Sequence, residues 1–189
     1  MQKGMKLINY CLCTLALIIL HATASANTLQ EVKQAMYDTV VKQEKRFVIG
    51  IPIRTSNENG RFQKEVPPLW DKFYRENLAQ KIPNKVNQNL LAVYTDYEGD
   101  YTKPFTYMIG CEVSNLSTIP EGMRGIELEP SSYAVFTAKG AFPQSMMQAW
   151  QSIWTSIVKR SYTTDFEVYK PDFNPQDNPE IRIFIATAK

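Results

Sequence analysis

The segment 165–169, DFEVY, combines acidic and aromatic residues in an order that could bind a positively charged organic molecule. If it forms a strand, the period of two places Asp165, Glu167 and Tyr169 on one face. A carboxylate on the wall of a cleft is costly to desolvate unless it is paired. A bound cation supplies that pairing, and flanking ring faces add about 0.5–2 kcal/mol each. From the residues alone, however, the favoured interpretation is that Glu167 pairs with a Lys or Arg on an exposed face.

The N-terminus decides which other chemistries the chain could perform. Lys3 and Lys6 precede an uncharged apolar run over residues 7–20, and the small-residue sequence HATASA follows. This order predicts a secretory signal peptide over residues 1–26, cleaved after Ala26. The apolar run is shorter than the ~20 residues that a membrane-spanning helix needs. We therefore expect a periplasmic or secreted product with no stable membrane anchor after cleavage.

Cleavage would remove most of the residues that common catalytic and metal sites use. Removing 26 of the 189 residues leaves 163, with 19 basic and 19 acidic residues, no histidine and Cys111 as the one cysteine. Such a chain cannot use Ser-His-Asp or Cys-His catalysis, build the usual zinc site or supply a proximal histidine to haem. Its balanced charge gives no electrostatic reason to expect nucleic acid. We predict no cofactor, no metal and no nucleic-acid partner.

The hydrophobic pattern after residue 26 predicts a duplicated α+β domain. Residues 27–44 are predicted as an N-terminal helix or spacer, because apolar residues recur there at helical spacing. The order strand, helix, strand, strand then occurs twice, over about 45–114 and 131–189. Pro67 and Pro143 are expected to open the two main helices, since proline fits a first helical turn. The expected fold is a curved antiparallel sheet with both main helices on one face and a ligand cleft where the halves meet.

These segments resemble the GyrI-like (gyrase-inhibitor-like) effector-binding domain family, in particular its integron-associated, stand-alone branch. The family includes the effector-binding halves of some AraC-type transcription activators. The resemblance runs from about 47 to 188, and its segments are VIGIPIRTSN, PPLWDKFY, LLAVYTDYEGDY, FTYMIGCEV, IPEGM, YAVFTAKG, AWQSIW and DFEVY. It implies a duplicated β-α-β-β fold with a central pocket for small, often cationic and aromatic molecules. The sequence departs from the family in its export signal and added N-terminal helix, and it shows no helix-turn-helix region.

The resemblance also implies where the pocket lies, because the family's characteristic acid matches Glu167. The ligand-binding residues it favours are one carboxylate and its aromatic neighbours: Glu167, Tyr169, Tyr94, Tyr107, Phe136 and Trp150. Tyr94 and Tyr97 fall on opposite faces of the predicted strand 90–97, so at most one points inward, and the family pattern favours Tyr94. Other conspicuous residues are expected elsewhere: Trp70 and Trp154 in the core, Glu112 in surface or rim pairing, and Cys111 as a buried small hydrophobe.

Three functions are compatible with this pattern. The first is an exported stand-alone effector-binding domain that binds a small cationic or amphipathic aromatic molecule in a central cleft, with no catalytic residue. The second is a hydrolase of a strained electrophilic molecule, in which Glu167 acts as general acid or orients a water beside Tyr169. The third is a structural protein whose cleft is filled by side chains. We favour the first, because only Glu167 and nearby tyrosines support catalysis.

Overall fold

The computed structural model describes residues 37–177 and 179–188. The predicted signal peptide and the first part of the predicted N-terminal helix lie outside the described residues. None of the helices in the described part is long and apolar enough to cross a bilayer. The elements, in chain order, are β1 (Thr39–Gln43), β2 (Arg46–Thr55), α1 (Arg61–Arg75), α2 (Leu78–Lys81), β3 (Leu90–Thr95), β4 (Phe105–Val113), β5 (Arg124–Leu128), β6 (Ser131–Lys139), α3 (Gln144–Thr155), β7 (Thr164–Tyr169) and β8 (Glu180–Ala186).

The strands form one curved antiparallel sheet with the order β1-β6-β8-β7-β3-β4-β2-β5. The first repeat, β2-α1-β3-β4, contributes the consecutive strands β3-β4-β2. The second repeat, β6-α3-β7-β8, contributes β6-β8-β7, which is the same strand arrangement in the opposite direction across the sheet. The two repeats therefore join through the pair β3·β7, with Ala92 opposite Glu167. This arrangement confirms the predicted duplicated α+β fold, with β1 and β5 added at the outer edges.

Both faces of the central strands are buried. One face carries the side chains that pack with α1 and α3, including Ile49, Tyr107 and Ile183. The opposite face carries a second apolar cluster that includes Met108 and Phe166. Because neighbouring residues of a strand point to opposite faces, the packing on both sides explains why β4, FTYMIGCEV, is buried at almost every position. Glu167, next to Phe166 in the chain, consequently lies on the helix-covered face.

The prediction of an N-terminal helix over residues 27–44 is wrong for residues 39–43, within the part of that segment that the structure describes. Residues 39–43 form β1, which pairs with β6, and Asp38 N–H donates to the carbonyl of Val135 at 2.7 Å. Val40, which the helical spacing would bury, is 51% exposed. The adjacent β-branched residues Val40 and Val41 suit a strand, and the open edge of β6 supplies the hydrogen-bond partners that decide the outcome.

The first main helix begins six residues earlier than predicted, at Arg61 rather than Pro67. Pro67 and Pro68 lie inside α1, where each lacks an N–H for the preceding turn. The extended helix buries Val66 and stacks the ring of Phe62 on Tyr94, with the centroids 6.0 Å apart. This packing offsets the missing hydrogen bonds. The second main helix follows Pro143 directly, as predicted.

A pair of glycines sets the distance between β2 and β4. Gly50 and Gly110 are direct partners across these strands. A Cβ on Gly110 would lie 2.2 Å from the carbonyl oxygen of Ile49, and one on Gly50 would lie 2.2 Å from that of Ile109. Only glycine fits at either position unless the strands separate.

Replacing Gly110 with alanine is therefore expected to lower the free energy of unfolding by about 2–3 kcal/mol, because the added methyl group overpacks two buried strands. Urea unfolding followed by tryptophan fluorescence measures the change. Gly99→Ala is the control, since the nearest neighbour there is the flexible side chain of Lys103. Equal losses in both variants would contradict the close approach.

Candidate functional site

A cavity of about 710 Å³ lies between the two main helices and the middle of the sheet. Its volume falls within the range of small-molecule sites. Both repeats contribute to its wall, the first through α1, β3 and β4 and the second through α3 and β7. The cleft at the junction of the halves is thus open, and its own side chains do not fill it as the structural alternative requires.

Glu167 lies on the wall of this cavity with only 2% of its surface exposed. Its Oε1 accepts hydrogen bonds from the hydroxyl of Tyr94 and the indole Nε1–H of Trp150, both at 2.7 Å. Its Oε2 accepts a third, from the hydroxyl of Tyr169, at 2.7 Å. The three donors come from β3, α3 and β7, so the carboxylate connects the two halves of the domain.

The groups that contact Glu167 are all neutral. No Lys or Arg within residues 37–177 and 179–188 forms a salt bridge with its carboxylate. Burial raises the pKa of Glu167 above its ordinary value, and the three hydrogen bonds oppose that rise in part. Burial also raises the pKa of Tyr94 and Tyr169 well above the usual tyrosine value, and the charge of Glu167 adds to the rise. These tyrosines therefore remain neutral donors.

Aromatic rings form most of the remaining wall. The indole of Trp70 donates to the hydroxyl of Tyr107 at 2.9 Å, which fixes the orientation of both rings. Tyr94 lies 4.8 Å from Trp150 between ring centroids. Further along the wall, Tyr101 stacks on Trp154 at 5.3 Å with an angle of 11° between the rings. Ring faces oriented in this way can bind a cation, an aromatic group or both.

A second polar group lies on the same face of β7, two residues before Glu167. Asp165 is fully buried, and its Oδ2 accepts from Nη2 of Arg160 at 2.6 Å and from the hydroxyl of Tyr97 at 2.7 Å. Its Oδ1 accepts from the backbone N–H of Ala186 at 2.7 Å. Arg160 and Tyr97 both line the cavity. Unlike Glu167, Asp165 therefore has a direct cationic partner.

The structure brings five of the six residues predicted to bind ligand to this cavity: Glu167, Tyr169, Tyr94, Tyr107 and Trp150. Phe136 does not line it. Phe136 belongs to β6, which β8 separates from β7, and its ring packs edge-on against Tyr37 with the centroids 6.2 Å apart. It is a core residue beneath α3 rather than part of the site.

The prediction that at most one of Tyr94 and Tyr97 points inward is wrong, because both line the cavity. β3 ends at Thr95, and Asp96 has a φ of 50°, so the strand alternation does not extend to Tyr97. An acidic residue can adopt this left-handed conformation, but the pattern of apolar residues does not reveal where a strand stops.

Trp70 and Trp154 also line the cavity, although they were expected in the core. The apolar stripes of the two helices correctly indicate which helix face points inward. They do not indicate which residues on that face line the cavity. Arg160 gave no signal in the sequence, because it lies in an irregular segment between α3 and β7. Two expectations are confirmed outside the site: Glu112 pairs with Arg46 on the other face of the sheet, and Cys111 is buried.

Comparison with known proteins identifies relatives over nearly all of the described chain. The family model described as integron-associated effector binding protein matches residues 39–187. A putative transcriptional regulator of Bacillus subtilis, YobU, is 27% identical over 150 residues, covering 77% of this chain and 93% of that protein. The transcriptional regulator BrlR of Pseudomonas aeruginosa is 31% identical over 126 residues, covering 62% of this chain and 44% of the regulator. The match therefore spans less than half of BrlR.

Two solved structures show the same fold. An integron cassette protein from the mobile metagenome of Vibrio cholerae is 28% identical, with a TM-score of 0.62 over 79% of this chain and 95% of that one. The protein SAV2435, solved bound to tetraphenylphosphonium, is 19% identical, with a TM-score of 0.66 over 79% of this chain and 93% of that one. At that identity, the second likeness concerns the fold alone.

The raised pKa of Glu167 predicts a pH dependence of stability. Because the folded state holds the proton more tightly than the unfolded chain does, the wild-type unfolding free energy should fall as pH rises from the ordinary value of 4.5 through the raised pKa. Glu167→Gln should lack this component, so its stability relative to wild type should increase over that window. Urea unfolding at a series of pH values measures the difference.

Glu129→Gln is the control for this prediction, because the side chain of Glu129 is 71% exposed. Its pH profile should follow that of the wild type. If the profiles of Glu167→Gln and wild type ran parallel, the carboxylate would carry no desolvation cost.

Proposed function

The chain belongs to the integron-associated effector binding protein family, and on that premise we propose that its cavity binds a lipophilic aromatic cation selected by Glu167. Membership of an effector-binding family accounts for a small-molecule site. The observation that carries the ligand class is the buried carboxylate of Glu167, which has three neutral donors and an aromatic surround. A cationic ligand would supply the positive charge that this carboxylate does not receive from its hydrogen-bond partners.

The distribution of charge in the interior favours this proposal. Within the described part of the chain, the buried carboxylates are those of Asp165 and Glu167. Arg160 neutralises Asp165, whereas the partners of Glu167 are Tyr94, Trp150 and Tyr169. When Glu167 is ionised, the buried part of the cavity wall therefore carries an uncompensated negative charge, and the exposed carboxylate of Asp71 also lines the cavity. An anionic ligand placed there would be repelled, and a neutral one would gain nothing from the charge.

The expected energies show that the charge can dominate the selection. A unit positive charge 5 Å from the carboxylate gains about 3 kcal/mol at an effective dielectric constant of about 20. Each well-placed ring face adds about 0.5–2 kcal/mol. A neutral ligand of the same shape keeps the apolar contacts but loses both electrostatic contributions.

The structural neighbour SAV2435 supports the choice of probe, since its solved complex contains tetraphenylphosphonium. This ion combines a delocalised positive charge with aromatic groups, which is the chemistry that the cavity of this chain matches. It serves here as a test compound for the ligand class, and the natural effector need only share these two properties.

Hydrolysis of a strained electrophile is the alternative use of the same carboxylate. A raised pKa would suit a general acid, but both oxygens of Glu167 already accept hydrogen bonds from three donors. These bonds use three of the roughly four lone-pair positions of the carboxylate, so one position on Oε2 is left for a proton or a water. The neighbouring tyrosines have raised pKa values and remain protonated, so they supply no base, and we therefore favour binding over turnover.

We further propose that the domain acts outside the cytoplasm. The support is the order of a basic start, a short apolar run and the sequence HATASA in residues 1–26. Removing these residues leaves intact the elements that build the cavity, because the first of its lining residues is Asn57.

Glu167→Gln is expected to weaken tetraphenylphosphonium binding at least tenfold, because it removes the negative charge while preserving the size of the side chain. Isothermal titration calorimetry at pH 8 measures the affinity. A matched pair of smaller probes isolates the charge: benzyltrimethylammonium should lose affinity in the variant, whereas its neutral isostere neopentylbenzene should not. Equal losses for the two isosteres would refute charge selection by Glu167.

Glu129→Gln serves as the control variant, since it changes the net charge by the same amount at an exposed position. It should bind every probe as the wild type does. Incubation with a strained epoxide tests the alternative, and turnover that Glu167→Gln abolishes would favour the hydrolase.

Export is tested by expressing the full chain in a Gram-negative host and separating the periplasm and medium from the cytoplasm. The expected product is a mature chain that begins at Asn27, identified by mass spectrometry. A charged residue in the apolar run, as in Leu15→Arg, should keep the protein uncleaved in the cell. An uncleaved wild-type chain in the cytoplasm would contradict the proposal.

A further inference from the structure

Arg160 has more hydrogen-bond donors than the described residues satisfy. Its side chain is 4% exposed and lines the same cavity as Glu167. Nη2 donates to Asp165 and also lies 3.3 Å from the hydroxyl oxygen of Tyr97. Nε and Nη1 are buried and have no hydrogen-bond partner within residues 37–177 and 179–188.

The aromatic neighbours of Arg160 cannot satisfy these two nitrogens. The guanidinium carbon lies 4.4 Å from the centroid of Tyr162 and 5.9 Å from those of Tyr97 and Trp150. Such cation–π contacts stabilise the positive charge of the guanidinium, but a ring offers its N–H groups no oxygen acceptor. Buried donors without acceptors are costly, and this cost is removed by an acceptor at the edge of the group.

We propose that Arg160 is a second polar anchor of the cavity and binds a carboxylate-like oxygen of a ligand whose cationic end lies near Glu167. This inference rests on the proposed function and narrows its ligand class to aromatic zwitterions and other aromatic cations with a strong hydrogen-bond acceptor. Glu167 selects the positive charge, and Arg160 selects the acceptor once a side-chain movement uncovers Nε and Nη1, which are buried in this structure.

The two anchors lie near each other because Asp165, the partner of Arg160, is two residues from Glu167 on one face of β7. The two positions are about 7 Å apart along the strand. Trp150 connects them, since its Nε1–H donates to Glu167 at 2.7 Å and its ring lies 5.9 Å from the guanidinium carbon of Arg160. Because the single indole of Trp150 adjoins both anchors, we choose a probe with one benzene ring between its cationic and acceptor ends.

The charge of Arg160 does not oppose binding of the cationic end. Asp165 lies 2.6 Å from Nη2, so the pair is neutral as a whole. The free donors of Arg160 therefore act through short-range, directional hydrogen bonds, which are strongest to an ionised oxygen. Glu167 therefore remains the buried source of uncompensated negative charge on the cavity wall.

Two probes that differ only at the acceptor test this inference. (4-Carboxybenzyl)trimethylammonium carries a carboxylate across one benzene ring from the ammonium group, and its methyl ester keeps the ring and the cation but removes the second charge. Calorimetric affinities at pH 8 give the ratio of carboxylate to ester binding. The wild type should prefer the carboxylate by about tenfold, the gain typical of a charge-assisted hydrogen bond.

Arg160→Lys is the informative variant, because a lysine can keep an ion pair with Asp165 but lacks the planar Nε–H and Nη1–H donors. Its preference for the carboxylate should fall at least tenfold relative to wild type. Arg182→Lys is the matched control on the other face of the sheet, beside Phe184, and should keep the wild-type ratio. If Arg160→Lys does not fold, the double variant Arg160→Met/Asp165→Asn removes both charges together and should show the same loss of preference.

A wild type without preference for the carboxylate, or an Arg160 variant that keeps the preference, would overturn the second anchor. If Glu167→Gln still loses affinity for benzyltrimethylammonium in that case, the proposed function stands and only this inference fails. If the wild type binds none of the cationic probes, the proposed function fails and this inference with it.

Discussion

The burial of one carboxylate at the junction of two repeats is the constraint on which this site depends. An ionised side chain cannot leave water without compensation, and Glu167 receives it from three hydrogen bonds of 2.7 Å. These bonds require Tyr94 on β3, Trp150 on α3 and Tyr169 on β7 to converge on one point. The three hydrogen bonds do not fully compensate for the loss of water. These neutral donors only partly offset the desolvation that raises the pKa of Glu167. The same carboxylate is thus tolerated in the fold and available to a cation.

The duplicated fold provides the place where such convergence is possible. Each repeat is an antiparallel three-stranded unit with one main helix, and the two units join through β3 and β7. The helices lie on the same face of the sheet, so a cavity forms between them and above the junction. Because the repeats differ in sequence, one half supplies Tyr107 and Trp70 while the other supplies Glu167 and Trp150. The pseudo-symmetric arrangement of the two repeats produces the cavity. The side chains on its two sides differ, so the two sides of the cavity have different chemistry.

Charge is distributed unevenly within that cavity. Asp165 and Arg160 form a neutral pair whose remaining donors are directed to short-range contacts, whereas Glu167 has neutral partners. The two groups share one face of β7 and are connected by the indole of Trp150. A ligand of the proposed class would therefore be recognised at one end by the negative charge of Glu167 and at the other by directional hydrogen bonds from Arg160. Family membership establishes an effector-binding domain.

The sequence by itself determined the features that depend on local periodicity. The period of two in DFEVY placed Glu167 beside Tyr169 on one face, and the repeated order of strands and helices predicted the duplicated sheet. Only the tertiary structure decided the features that depend on distant partners. Residues near 39–43 became a strand because β6 offers an open edge, and Tyr97 turned inward because Asp96 adopts a positive φ. Arg160 reached the cavity through an irregular segment whose path is set by the elements around it. A periodic pattern reports which side of its own element is buried, but not where neighbouring elements leave a space.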